Sequence, residues 1–447
     1  YEITYGDWSS DVCSSDLAFG GPGRISGTAS LAKQGAGSLV ISNDNDFTGP
    51  VTISGGTLVA ASSNALGSAV AGTTIRDGGT LDVLANMFNR ERLTVSGAGV
   101  GGLGAIVNNG TNQQQNATRL VTLAGDTTFG AVQRWDIRAA SGTTNAELST
   151  GGQAHRLSKV GTNHIAFVSV QVDPALGDID IREGGFGYEL STTSLGDPTR
   201  TATIRSNAWL RMYQAANPLT KSVRLEEGGQ LIGTSGTSNI VAGPIVVPGG
   251  LGQIGASSGA TLTVSNGISG AGGVRKVQPG TTTLSVPNTY AGPTLVEAGA
   301  LSVTADDRLG QASAEVILNG GTLLAADGFT LGAARDVLLG YGAGGTGTVQ
   351  VASNTLSYAG LVADYPGGPG TLIKNGAGTL LLSGPNTFSG GSSIQAGTLA
   401  IGHNQALGAG TVTLGAVTLA TAGGARTVTN LVGVNAIGSF DTSAGDL

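Results

Sequence analysis

Three stretches of this chain restate one another without a gap. "KQGAGSLVISNDNDFTGPVTISGGTLVAASSNALG" runs over 33–67, "KVQPGTTTLSVPNTYAGPTLVEAGALSVTADDRLG" over 276–310, and "KNGAGTLLLSGPNTFSGGSSIQAGTLAIGHNQALG" over 374–408. The first and third agree at 16 of 35 positions. Asn45, Asn288 and Asn386 each stand thirteen residues before Leu58, Leu301 and Leu399, and those stand eight before Leu66, Leu309 and Leu407. Spacing that rigid demands a shared backbone path, and internal repetition is the strongest constraint a sequence can place on a fold.

A shorter period runs through and between the copies. Ile181, Ile204 and Leu225 each open an aliphatic, Gly-rich step, at separations of 23 and 21 residues. Leu58 to Leu81, Leu301 to Leu323 and Leu399 to Leu419 repeat it at 23, 22 and 20. A step of 20 to 23 residues is one coil of a parallel β-helix, in which alternate side chains of short strands point inward and stack on the next coil. Leu39, Ile41, Ile53, Leu58, Leu380, Leu382, Ile394 and Leu399 are assigned to that stack. Apolar positions recur at two and Gly is too frequent for helix interiors. Gly steps mark corners that need positive φ. Asn45, Asn288 and Asn386 read as corner residues, tolerant of that conformation and able to hydrogen-bond along the stack. The expected fold is all-β, a right-handed parallel β-helix forming a single elongated rod. At ~22 residues per coil it would hold about 19 coils and span on the order of 90 Å. The pattern loosens over about 88–165, where "VNNGTNQQQNATRL" and "AASGTTNAELSTGG" read as loops leaving the rod, the place where a solenoid carries specificity.

Residues 1–17, "YEITYGDWSSDVCSSDL", differ from the Gly-, Thr- and Val-rich remainder and resemble the conceptual translation of a sequencing adapter. They are set aside as a scar, leaving 18–447 as the authentic fragment. Setting them aside removes the one cysteine, Cys13, and four acidic residues, so the formal charge moves from −7 to −3. With charged residues at 11%, there is no basic field for nucleic acid. No apolar run approaches the ~20 residues of a membrane helix. Gly at 77 of 447 without a Gly-X-Y period excludes collagen. A cysteine-free chain suits one that crosses an oxidising periplasm unfolded.

The pattern of Lys374 to Gly408 is Lys-x-Gly-x-Gly-x-Leu-x-Leu, Asn-Thr-Phe-x-Gly-Gly, Gly-Thr-Leu and Leu-Gly. It resembles the autotransporter-associated β-strand repeat of type V secretion passenger domains. The second copy departs from it at Gln278-Pro279 and Thr282. The resemblance implies a passenger threaded through its own outer-membrane β-barrel translocator, which this fragment lacks. Such a passenger is displayed on the bacterial surface or released, as a non-enzymatic stalk and adhesion scaffold toward host or matrix glycans or proteins.

Candidate chemistry is sparse. His155, His164 and His403 form no recognisable catalytic or metal motif, and His403 aligns with Ser62 and Ala305 in the other copies. No catalytic residue, cofactor or metal is expected. The sharper alternative is "DIDIREGG", where Asp178 and Asp180 alternate on one strand face beside Arg182 and Glu183. A β-helical polysaccharide lyase or glycoside hydrolase would place carboxylates and an arginine so; an ordinary solvent-facing strand would look the same. "NDND", 43–46, is rich in oxygen ligands, but its counterpart 384–387 keeps few of them, so a turn is expected. Trp135 and Trp209 are candidate sugar platforms, with corner packing the plainer reading of "NAWLRM".

Overall fold

The computed structural model describes residues 16–139, 146–236, 239–436 and 438–443. The chain divides into two compact units, 1–176 and 177–447. Each is built of short strands whose described pairings are parallel, as a β-solenoid requires.

In the first unit the inward columns are visible residue by residue. Leu39 pairs with Leu58, Leu58 with Leu81, Leu81 with Ile106 and Ile106 with Phe129. A second column runs Lys33, Ile53, Ile75, Val95, Leu123. Apart from Lys33, these residues belong to the buried hydrophobic core, because side chains of one parity all face the interior. The opposite parity faces out, and Thr52, Thr74, Thr94 and Thr122 form one outward row, β-branched residues suited to a half-exposed pleat. Of the segment read as adapter-derived, residues 1–15 lie outside the described residues. Leu17 pairs with Leu39, and the Asp16 carboxylate accepts from the Ser38 amide at 2.9 Å.

The stretch 88–165 departs from the loop-rich expectation. Phe88–Gly97 and Gln114–Gly130 are long strands, ten and seventeen residues, paired in parallel with each other. Gln114–Gly130 also pairs with Trp135–Arg138, Ala146–Ser149 and Leu157–Val160. The reason is that polar Gln114, Gln115 and Asn116 lie on strand rather than loop, and the polar run hides a ladder carried by backbone. Among the described residues, the departures from strand remain at 98–105, 108–113, 131–134, 150–156 and 161–163; residues 140–145 lie outside the described set.

In the second unit, Leu356, Leu380, Leu399 and Leu419 stack in register, and Ile254, Lys276, Val296, Leu318 and Leu339 form a parallel column. Thr355, Thr379, Thr398 and Thr418 repeat the outward threonine row. The Leu-Gly that closes each repeat has a local cause. Gly67, Gly310 and Gly408 have φ of 75°, 78° and 63°, and a Cβ there would strike the buried ring of Phe47, Tyr290 or Phe388.

Candidate functional site

The repeats place two polar devices at the same positions in each copy. Asn45, Asn288 and Asn386 are buried. In each, Oδ1 accepts from a backbone amide of the preceding coil: Ile25 at 2.8 Å, Ile268 at 2.7 Å, Val362 at 2.8 Å. Nδ2 donates forward to a carbonyl of the following coil: Ala65 at 2.9 Å, Arg308 at 2.6 Å, Ala406 at 2.6 Å. One carboxamide therefore clamps three coils, which neither a carboxylate nor an aliphatic side chain could do. None of the three has positive φ, so the side chain, not backbone tolerance, is what the position uses.

The second device is the lysine that opens each copy, to which the sequence reading gave no role. Lys33, Lys276 and Lys374 stand inside otherwise aliphatic columns, Lys374 between Val349 and Ile394. Each ammonium donates to three carbonyls. Lys33 reaches Gln34, Gly35 and Gly55 at 3.0, 2.8 and 2.8 Å; Lys276 reaches Val277, Gln278 and Ala298 at 2.9, 2.7 and 2.8 Å. Lys374 reaches Asn375, Gly376 and Ala396 at 2.9, 2.8 and 3.0 Å. Two carbonyls belong to the lysine's own corner and the third to the next coil. Lys159 also donates to three carbonyls, Val160, Gly161 and Asn163, all of them in its own turn. Burial lowers the pKa of Lys33 and pushes Lys276 and Lys374 down to about 8. The available signal was parity: Lys33, Lys276 and Lys374 sit two residues after Leu31, Val274 and Leu372, on the inward face.

The acidic cluster is partly assembled. Asp180 is buried, with Oδ1 2.8 Å from Arg205 Nε and Oδ2 2.8 Å from Arg182 Nε. Burial opposes its ionisation, but the hydrogen bonds from Arg205 and Arg182 outweigh it and hold the carboxyl below its usual range. Asp178 turns to the Thr201 amide at 2.9 Å, and Glu183 is exposed beyond the strand. Along its row Asp180 is followed by Thr203 and then Arg224, so the adjacent coils add no carboxylate there. Arg205, one coil on from Arg182, is the partner that sequence proximity could not reveal.

The remaining candidates have local roles. Trp135 is buried, donates to the Gly130 carbonyl at 2.7 Å and meets Phe129 edge-on at 5.1 Å, so it offers no platform. Trp209 is half-buried over Gly185, with the Arg211 guanidinium 5.7 Å from its ring and 5.9 Å from that of Tyr213; Glu189 pairs with Arg211. His403 Nδ1 accepts from the Gln405 amide at 3.1 Å within its turn, while His155 and His164 are half-buried. The oxygens of 43–46 are engaged separately: Asn43 donates to Gly23, Asp44 accepts from Ser62, and Asp46 pairs with Arg24. Among the described residues no three His, Cys, Asp or Glu side chains converge on a cation site.

Comparison with known proteins gives this geometry a context. The Passenger-associated-transport-repeat family matches residues 31–60, 274–303 and 372–401, the segments that hold Lys33, Lys276 and Lys374 and the clamp asparagines. The chain is 31% identical over 86% of its length to the adhesin BmaC autotransporter of Brucella suis biovar 1 (strain 1330), of which it spans 13%. No solved structure is a significant match. The repeats and this relative together support an autotransporter passenger domain. Both findings point to a cell-surface or secreted location.

Proposed function

We propose that this segment is a stalk and adhesion scaffold, without catalysis, that presents the loops within 88–165, chiefly 98–105 and 108–113, to host or matrix glycans or proteins. Its own outer-membrane β-barrel would export and anchor it. The observation that carries this reading is the reuse of the same two polar inter-coil devices in every repeat: the recurring residues hold coils together and leave no reactive group in common. The naming of the relative as an adhesin supports the same reading. Asp178, Asp180, Arg182 and Glu183 are assigned to coil-to-coil ion pairing and turn solvation rather than to a lyase or hydrolase site, since both Asp180 oxygens are taken by guanidiniums.

The test fuses the segment to a translocator barrel on a non-adherent bacterium. Attachment to matrix-coated surfaces should appear, fall when 98–105 and 108–113 are replaced by short Gly-Ser turns, and survive Asp180→Asn. Depolymerisation of an acidic polysaccharide by the purified segment, abolished by Asp180→Asn, would establish the enzyme instead.

A further inference from the structure

A carboxyl buried in the first unit takes no part in the adhesion reading. Glu91, 4% exposed, lies on the inward face of Phe88–Gly97, in line with Leu93 and Val95. Its partner is a hydroxyl: Thr73 Oγ1 to Glu91 Oε1, 2.6 Å. The strands packed against it bring no counter-charge. Thr73–Ile75 has no ionisable side chain. Gln114–Gly130 has Arg119, whose Nε donates to the Asn89 carbonyl at 3.0 Å, and Asp126, which accepts from the Arg156 amide at 2.8 Å. Arg90 and Arg92, on its own strand, face solvent.

The same stretch is poorly satisfied in other ways. Both polar atoms of the Asn89 side chain, and the Thr118 hydroxyl, are buried without a hydrogen-bond partner. The ladder slips here: Phe88 pairs with Thr118 and Arg92 with Leu120, four residues against two. Just upstream, Leu84 and Ala85 hold φ of 43° and 60°, a conformation non-glycine residues resist. A bulge with unmet polar groups is the part of a solenoid that opens at least cost.

We propose that Glu91 is a proton-operated latch: protonated, it keeps the 84–92 bulge closed against Thr73, and ionised, it opens the bulge to water. Burial raises the carboxyl to about 7, with the Thr73 bond opposing. A group raised in the folded state stabilises fully below its unfolded value and loses that contribution as pH rises through its folded value. Closure should therefore be complete near pH 4.5 and largely lost above pH 7.

Amide exchange on the full chain tests this, with peptides covering 86–97 corrected for intrinsic rate at pH 5 and 8, and peptides covering 157–168 as reference. Protection of 86–97 should fall by on the order of tenfold or more at pH 8 relative to the reference. Glu91→Gln should keep high protection at both pH values. Thr73→Val removes a bond that favours the ionised form, so it should move the transition to higher pH, and it decides the matter if Glu91→Gln does not fold. Equal wild-type protection at the two pH values, or a Glu91→Gln protein that keeps the wild-type pH dependence, would overturn the latch.

Discussion

The ammonium of Lys374 lies 3.0 Å from the carbonyl oxygen of Ala396, 22 residues further along the chain and one coil away. A single charge thus completes the hydrogen bonding of two successive corners. Lys374→Met preserves length and apolar packing but leaves three inward carbonyls without their donor. Removing one partner of a buried polar set costs more than the set contributes, so a loss of about 2–4 kcal/mol is expected. Urea unfolding monitored by far-UV circular dichroism measures it; an unchanged midpoint would mean that water replaces the ammonium at no cost.

Asn386→Ala should be comparably damaging, because it strands the Val362 amide and the Ala406 carbonyl together. About 2–3 kcal/mol is expected from two unmet buried groups. Asn386→Asp keeps the acceptor, loses the donor and adds a buried charge, so it should melt no higher than the alanine variant. A thermal melt ranking Asp above Ala would show that the forward bond to Ala406 contributes little.

Gly408→Ala combines a positive φ with a clash against Phe388. Strain of this kind costs on the order of 1–3 kcal/mol before any repacking. Shrinking the ring should relieve part of the steric share, so the double variant Phe388→Leu/Gly408→Ala should lose less than the sum of the two single changes. Strict additivity in a double-mutant cycle would separate the glycine from the ring.

Alkaline pH should first stabilise the protein and then unfold it. The folded-state pKa of Lys221, Lys276 and Lys374 is depressed to about 8, mainly by burial, against 10.5 as the ordinary value. Between those limits the unfolded chain binds more protons than the folded one, so stability rises with pH. Tyr188, Tyr290 and Tyr358 act in the opposite sense. Burial raises all three, Tyr290 to about 12, so the unfolded chain ionises first and stability falls above pH 10. The urea midpoint should peak at about pH 9.5–10. A midpoint that declines steadily from pH 8 would show that the carbonyl cages fully offset the burial of the ammoniums.

The coils were legible because period-two alternation of Leu, Ile and Val reports burial directly. Leu39, Ile41, Ile53 and Leu399 stand in the columns where their parity puts them. The caged lysines were not, because hydropathy counts a lysine as outward, and what makes these three tolerable inward is a cage of backbone carbonyls completed by Gly55, Ala298 and Ala396, 22 residues away. The strand Gln114–Gly130 was missed for the converse reason: its polar side chains are what an outward face permits, and its ladder is made of backbone, which leaves no mark on residue identity. Asp180 showed its chemistry in sequence but not its partner, since Arg205 becomes a neighbour only when the chain has gone once around.

The caged lysines also matter before there is a cage. In the unfolded chain each ammonium is fully hydrated and stands a few residues ahead of an aggregation-prone strand: Lys33 before Leu39-Val40-Ile41, Lys374 before Leu380-Leu381-Leu382. A charge at that position acts as a gatekeeper, discouraging such strands from pairing with other copies while they are still exposed. Closing the coil then withdraws the charge from water and turns it against the backbone. One side chain thus keeps the chain dispersed until the coil forms, and afterwards ties that coil to the next.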